Sequence, residues 1–116
     1  MNRGEFGEKA AAKYLRKKGY KIIETNYKIV SGEIDIIAYK KGILAFVEVK
    51  TRSSLYGGRP AEAVTIFKQK RIISAARNYI LNNKISGQPR FDIIEILLNS
   101  SAEEIKEIVH IEDAFC

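Results

Sequence analysis

Hydrophobic positions recur along the chain with two different periods, and the switches between them mark out its elements. From Gly4 to Lys18 the spacing is helical: at about 100° per residue Phe6, Gly7, Ala10, Ala11, Tyr14 and Leu15 fall in one half of the wheel, and Gly19 supplies a C-terminal stop. Tyr20 to Val30 is rich in β-branched and aromatic residues, Ser31-Gly32 reads as a turn, and Glu33 to Lys40 alternates around isoleucines, which predicts two strands. Lys41-Gly42 makes the next turn. Ile43 to Thr51 is apolar on both faces for most of its length, the pattern of a strand covered on both sides, and belongs in the middle of a sheet.

Arg52 to Pro60 contains Ser53, Ser54, Gly57, Gly58 and Pro60 and reads as a loop directly after the most buried strand. A second helix is expected from Ala61 or Thr65 to about Asn83, with Ile66, Ile73, Ala76 and Ile80 inward and Lys68, Gln69, Lys70 and Arg71 clustered early. Asn82-Asn83 and Gly87 to Pro89 end it. Arg90 to Leu98 is a fourth strand, parallel to the third because a helical crossover joins them, and Ile105 to Ile111 is a candidate for a short fifth. With 116 residues, 46% of them hydrophobic, and no repeat or linker, the chain is expected to form a single domain over residues 1–116. Its order is helix, three strands, helix, one or two strands: an α/β domain with a mixed central sheet flanked by helices.

Charge narrows the partner class. Lysine and arginine number 20 against 14 acids, giving a net charge of +6 and an affinity for polyanions, of which nucleic acid leads. The single cysteine, Cys116, excludes an intramolecular disulfide and a cysteine-based zinc site. The N-terminal residues lack the apolar core of a signal peptide, and no apolar run reaches the roughly 20 residues that cross a bilayer. A soluble, cytoplasmic protein without a membrane partner is expected.

The chemistry concentrates in Gly32-Glu33-Ile34-Asp35 and Phe46-Val47-Glu48-Val49-Lys50. Alternation puts Glu33, Asp35 and Ile37 on one face of their strand, and Leu44, Phe46, Glu48 and Lys50 on one face of the next. A two-residue turn at Lys41-Gly42 pairs Lys40 with Ile43, and the same register sets Asp35 against Glu48 and Glu33 against Lys50. Facing carboxylates about 4.5 to 5.5 Å apart at Cβ destabilise a sheet unless a positive charge lies between them. A divalent cation resolves the conflict. Magnesium or manganese accepts carboxylate, water and phosphate oxygens, so Asp35 and Glu48 are candidate metal ligands. Lys50 is a candidate to contact a scissile phosphate or to help a metal-bound water lose its proton. On a solvated face the same residues would be ordinary ion pairs worth about 0 to 1 kcal/mol. Ile37, Leu44 and Phe46 imply a covered face, where half-buried acids need compensation.

These residues, with Gly4-Glu5-Phe6-Gly7-Glu8, Ala11 and Leu15 in the first helix, Asn26, Arg52 and Arg90-Phe91-Asp92, resemble the uncharacterised bacterial YraN-like family. That family is itself similar to archaeal Holliday-junction resolvases within the PD-(D/E)xK nuclease superfamily. The resemblance implies a restriction-endonuclease-like fold, metal-dependent cleavage of branched or structured DNA, Asp35 and Glu48 as metal ligands, and Lys50 as the catalytic lysine. The proline of the superfamily's signature is replaced, since Glu33-Ile34 precedes Asp35. Resolvase-like members also place a helix-borne glutamate beside the metal. Glu8 lies only about 20° from Leu15 on the wheel and fits that place, although an acid in the first turn equally complements the helix dipole.

Arg52, Arg59, Lys68 and Arg71 are candidate phosphate contacts flanking the acids, against the alternative of a solvated basic face. His110, without a histidine or cysteine partner, reads as structural, and Asp92 as a partner for Arg90 or a neighbouring strand. Two rival functions stand beside the nuclease: a catalytically inactive nucleic-acid-binding module with the same fold, and an interaction protein whose acids meet a basic partner. Symmetric cutting of two strands would require a homodimer.

Overall fold

The computed structural model describes residues 2–53, 64–99 and 104–116. The elements run α1 (Arg3–Lys17), β1 (Lys21–Ile29), β2 (Gly32–Lys40), β3 (Ile43–Ser53), α2 (Ile66–Asn83), β4 (Gln88–Leu98) and β5 (Ile105–Ile111). The expected order is present, and the fifth strand with it.

The strands form one sheet in the order β1-β2-β3-β4-β5, so β3 is central as its two-sided apolar pattern predicts. The β1, β2 and β3 meander is antiparallel, the crossover through α2 makes β3 and β4 parallel, and β5 returns antiparallel on β4. Lys41 and Gly42 both have positive φ, 48° and 82°, which matches the tight hairpin their sequence predicts and fixes Lys40 opposite Ile43.

Each face of the sheet has its own core. Ala11, Ala12 and Leu15 of α1 pack on Ile36, Ala38, Ala45, Val47, Ile94 and Ile96. Ile72, Ala75, Ala76 and Tyr79 of α2 pack on Ile34, Ile37, Leu44, Phe46 and Ile93. The inward face of α2 therefore differs from the one expected: Ile66 is 65% exposed, Ile73 and Ile80 are only partly buried, and Ala76 alone of the four is fully buried. Ile66 is the first residue of the helix, where half a turn of phase error turns an inward side chain outward.

Both helices come unusually close to the sheet at glycines near one end of it. A Cβ on Gly7 would lie 1.8 Å from Thr51 Oγ1 of β3, and one on Gly32 would lie 1.9 Å from the Arg71 carbonyl oxygen of α2. These two contacts set α1 and α2 on either side of the strand ends that carry the acids.

Candidate functional site

β2 and β3 pair in the predicted register over five positions, from Lys40↔Ile43 to Ile36↔Val47. The ladder then stops, which corrects the expectation that Asp35 faces Glu48, and Glu33 faces Lys50, as backbone-paired residues. Ile34 packs on the α2 side and Ile36 on the α1 side, so strict alternation breaks at Asp35. On the other edge of β2, Asn26 takes a left-handed conformation with φ 53° between the paired positions Thr25 and Tyr27. Asparagine tolerates that region better than most side chains, which is the one signal in the sequence for this irregularity.

The irregularity aims the Asp35 carboxylate at β3. Its Oδ2 accepts the backbone N–H of Val49 at 2.7 Å, taking the place of a ladder bond, and its carboxyl group hydrogen-bonds that of Glu48. The two acids that the register predicts to meet do meet, through their side chains. Glu48 is 4% exposed. Burial, then the Asp35 charge beside it, push its pKa up to about 7, against the pull of Lys68 and Lys50. Burial raises the Asp35 carboxyl too, although the Val49 N–H, the Glu48 hydrogen bond and Lys68 draw it back. Near neutral pH Glu48 is therefore partly protonated beside Asp35.

Cations ring this pair. Lys50 Nζ stands 3.6 Å from Glu48 Oε2, and Lys68 Nζ, reaching down from the first turn of α2, stands 3.7 Å from the same oxygen. Lys68 also lies 3.5 Å from Glu33 Oε1, and Lys28 lies 3.8 Å from Glu33 Oε2. Glu33 is thus held by β1 and α2 and does not face Lys50. The sequence assigns Lys68 to a phosphate-binding ridge, but its amine sits among the acids; sequence periodicity along α2 carries no signal for that. Arg52 ion-pairs the buried Glu95 at 2.9 Å, and Arg71 is half-buried with its carbonyl against Gly32. Arg59 lies outside the described residues.

Glu8 comes close enough to Asp35 to feel its charge. Burial first, and Asp35 next, raise its pKa, while a hydrogen bond with Asn26 opposes them. Glu8 and Asn26 belong both to a cavity of about 310 Å³ that reaches Glu33 and Asp35, and to one of about 460 Å³ between α1 and β1 bordered by Lys9 and Arg16. A continuous groove therefore leads along α1 to the acids.

Among the described residues Glu48 Oε1 is buried with no hydrogen-bond partner, the state of an acceptor that a cation would satisfy. Asp35 and Glu48 are oxygen donors that would hold a hard divalent ion. Among the described residues, no group of three or more His, Cys, Asp or Glu side chains is set to hold a metal, so Glu8 stands at the rim of the pair.

A second polar cluster lies away from the acids on the α1 face. Asp92, fully buried, accepts two hydrogen bonds from Arg90 at 2.8 Å, one from the Asp113 N–H at 3.1 Å, and contacts His110 Nε2 at 2.8 Å. His110 Nδ1 lies 3.3 Å from Tyr14 Oη, and Arg90 donates to Tyr20 Oη at 2.6 Å. Burial alone would raise Asp92, but the His110, Arg90 and Asp113 hydrogen bonds bring it below the usual carboxylate range. The structural readings of His110 and Asp92 match this geometry. No helix among the described residues is long and apolar enough to cross a membrane.

The model of a family described as "Uncharacterised protein family UPF0102" matches residues 7–96, a span that includes Glu8, Asp35, Glu48, Lys50 and Lys68. A UPF0102 protein of Caldanaerobacter subterraneus is 50% identical over 113 residues, covering 97% of this chain and 93% of the relative. Those of Chloroherpeton thalassium and Clostridioides difficile are 48% and 47% identical, covering 97% of this chain and 92% and 96% of their own lengths.

Proposed function

We propose, from the premise that this chain belongs to the uncharacterised protein family UPF0102, that it is a divalent-cation-dependent endonuclease with a restriction-endonuclease-like fold, acting on branched or otherwise structured DNA. The observation that carries the reading is the mutually hydrogen-bonded pair of half-buried Asp35 and buried Glu48, with one Glu48 oxygen unsatisfied among the described residues and Lys50 beside it. Such a pair costs stability unless positive charge offsets it, and pKa-shifted acids beside a cavity are candidates for a working site.

Asp35 and Glu48 would hold magnesium or manganese, which when bound would polarise a phosphate and make a water more acidic. Lys50 Nζ, 3.6 Å from Glu48, points its charge at the same place and stabilises the negative charge that gathers on a phosphate under attack. Glu8 at the rim accepts a proton or orients water. The Val49 N–H fixes the Asp35 carboxylate so that it need not reorganise during the step. Arg52, Arg59, Lys68 and Arg71 contribute phosphate contacts, and cleavage of both strands of a symmetric junction would employ a homodimer.

The test is cleavage of a labelled four-way DNA junction with magnesium, manganese or chelator. Expected are cation-dependent nicks that fall at least about a hundredfold in Asp35→Ala, Glu48→Ala and Lys50→Ala, the scale of losing a charge-stabilising group. Equal products from wild type and Lys50→Ala would remove Lys50 from the mechanism. A second reading, a DNA-binding module without catalysis, is favoured by the lack of a third acid within metal-holding reach among the described residues. It predicts junction binding with no cation-dependent product.

A further inference from the structure

We infer that Lys68 is the chain's own stand-in for the cation: its ammonium group neutralises the acids while no divalent ion is bound, and swings outward toward substrate phosphate when one enters. This rests on the cation-dependent reading above. Lys68 Nζ bridges an acid of β2 and an acid of β3, lying 3.5 Å from Glu33 Oε1 and 3.7 Å from Glu48 Oε2, beside the point where the β2–β3 ladder stops. It joins through charge two strand ends that backbone pairing leaves apart.

The geometry suits exchange. Lys68 Nζ donates one long hydrogen bond, to Glu33 Oε1 at 3.5 Å, and meets Glu48 only as an ion pair at 3.7 Å, so it is held mainly by charge and not by short directed bonds that would be costly to break. Its backbone is fixed, because the Lys68 N–H donates to Thr65 Oγ1 at 3.1 Å in the first turn of α2, while the long stem above it can pivot. The side chain is 28% exposed, leaving it a route to solvent. The carboxylate it neutralises, Glu48, has a second oxygen with no hydrogen-bond partner among the described residues. A divalent ion on Asp35 and Glu48 would repel both ammonium groups near that oxygen, Lys50 at 3.6 Å and Lys68 at 3.7 Å, and Lys68, which alone of the two also bridges to Glu33, is the one that gives way. The released lysine stands at the rim, at the positive end of α2, where a phosphate would lie. Lys68 is accordingly a positioning residue that links cation entry to phosphate capture.

The experiment follows the Lys68 side chain by NMR in uniformly labelled full-length protein, with its signal assigned by difference from Lys68→Met, during magnesium titration at pH 8.5. The Lys68 signal is expected to move and saturate together with cation binding. In calorimetry, Lys68→Met and Lys68→Gln are expected to bind magnesium roughly five- to tenfold tighter than wild type, the value of one partly exposed ion pair removed from competition. Lys70→Met, the same charge lost from the exposed side of the same helix, is expected to stay within about twofold. An unmoved Lys68 signal while magnesium binds overturns the inference and leaves the cation site standing, as does unchanged or weaker binding in both Lys68 variants. If wild type binds no magnesium, the hydrolytic reading itself falls, and the Lys68 inference with it.

Discussion

Glu48 has a pKa of about 7 because it is buried beside Asp35, whereas the unfolded chain gives up the same proton near 4.5. Between those values the native state binds more protons than the unfolded one, so the metal-free protein loses stability as pH rises through this window. Asp35, also raised, acts in the same direction. Glu48→Gln removes much of the slope and is expected to stabilise the metal-free protein at pH 8 by about 1 to 3 kcal/mol, read from chemical denaturation at pH 5 and 8. A variant no more stable than wild type at pH 8 would mean that Glu48 is already neutralised by its lysines. Much of this residue-scale picture is legible in the sequence, because hairpin register brings Asp35 toward Glu48 whatever the surroundings. The partners of those acids are less so: that Lys68 rather than Lys50 bridges to Glu33 depends on the height at which α2 starts, which no local pattern encodes.

At the scale of elements, the two close-approach glycines hold the helices against the site, and they differ in what they touch. Gly7 meets the side chain of Thr51, which can rotate, whereas Gly32 meets the Arg71 carbonyl and the Ala75 nitrogen, backbone atoms inside a helix. Gly32→Ala is therefore expected to cost about 3 kcal/mol or more, by overpacking that only a shift of α2 relieves. Gly7→Ala should cost less, near 1 kcal/mol, because alanine's better helix propensity offsets part of the clash, and Thr51→Ala should recover most of that loss. Thermal or denaturant melts of the four proteins check the order; equal costs at both positions would mean that the helices are not seated by these contacts. Strand order and the parallel β3–β4 pair follow from period and crossover length and so can be read in advance. The phase of α2 cannot, since Ile66, Ile73 and Ile80 make a second apolar stripe of which only Ile80 reaches the core, while Ile72, Ala75, Ala76 and Tyr79 form its buried face. A helix with apolar residues on so wide an arc leaves the choice to tertiary contacts.

Across the whole molecule, the sheet separates two charged centres. The acids gather where β2 and β3 part, and the Arg90–Asp92–His110 network ties β4, β5 and the loop after α1 together on the α1 face. Among the described residues the first keeps one carboxylate oxygen without a hydrogen bond, whereas both Asp92 oxygens of the second are bonded, as suits a network that holds the fold. Asp92→Asn leaves Arg90 without its buried counter-ion and is expected to lower stability by about 3 to 5 kcal/mol, while magnesium affinity measured below its melting temperature stays within about twofold. A cation affinity that falls together with stability would join the two centres into one unit. The central claim, that Asp35 and Glu48 share a single divalent ion, is tested most directly by magnesium calorimetry at pH 6 in two buffers of different ionisation enthalpy. One ion per chain, bound with release of a substantial fraction of a proton and lost in Asp35→Asn with Glu48→Gln, is the predicted result; no binding, or binding undiminished in that double variant, contradicts it.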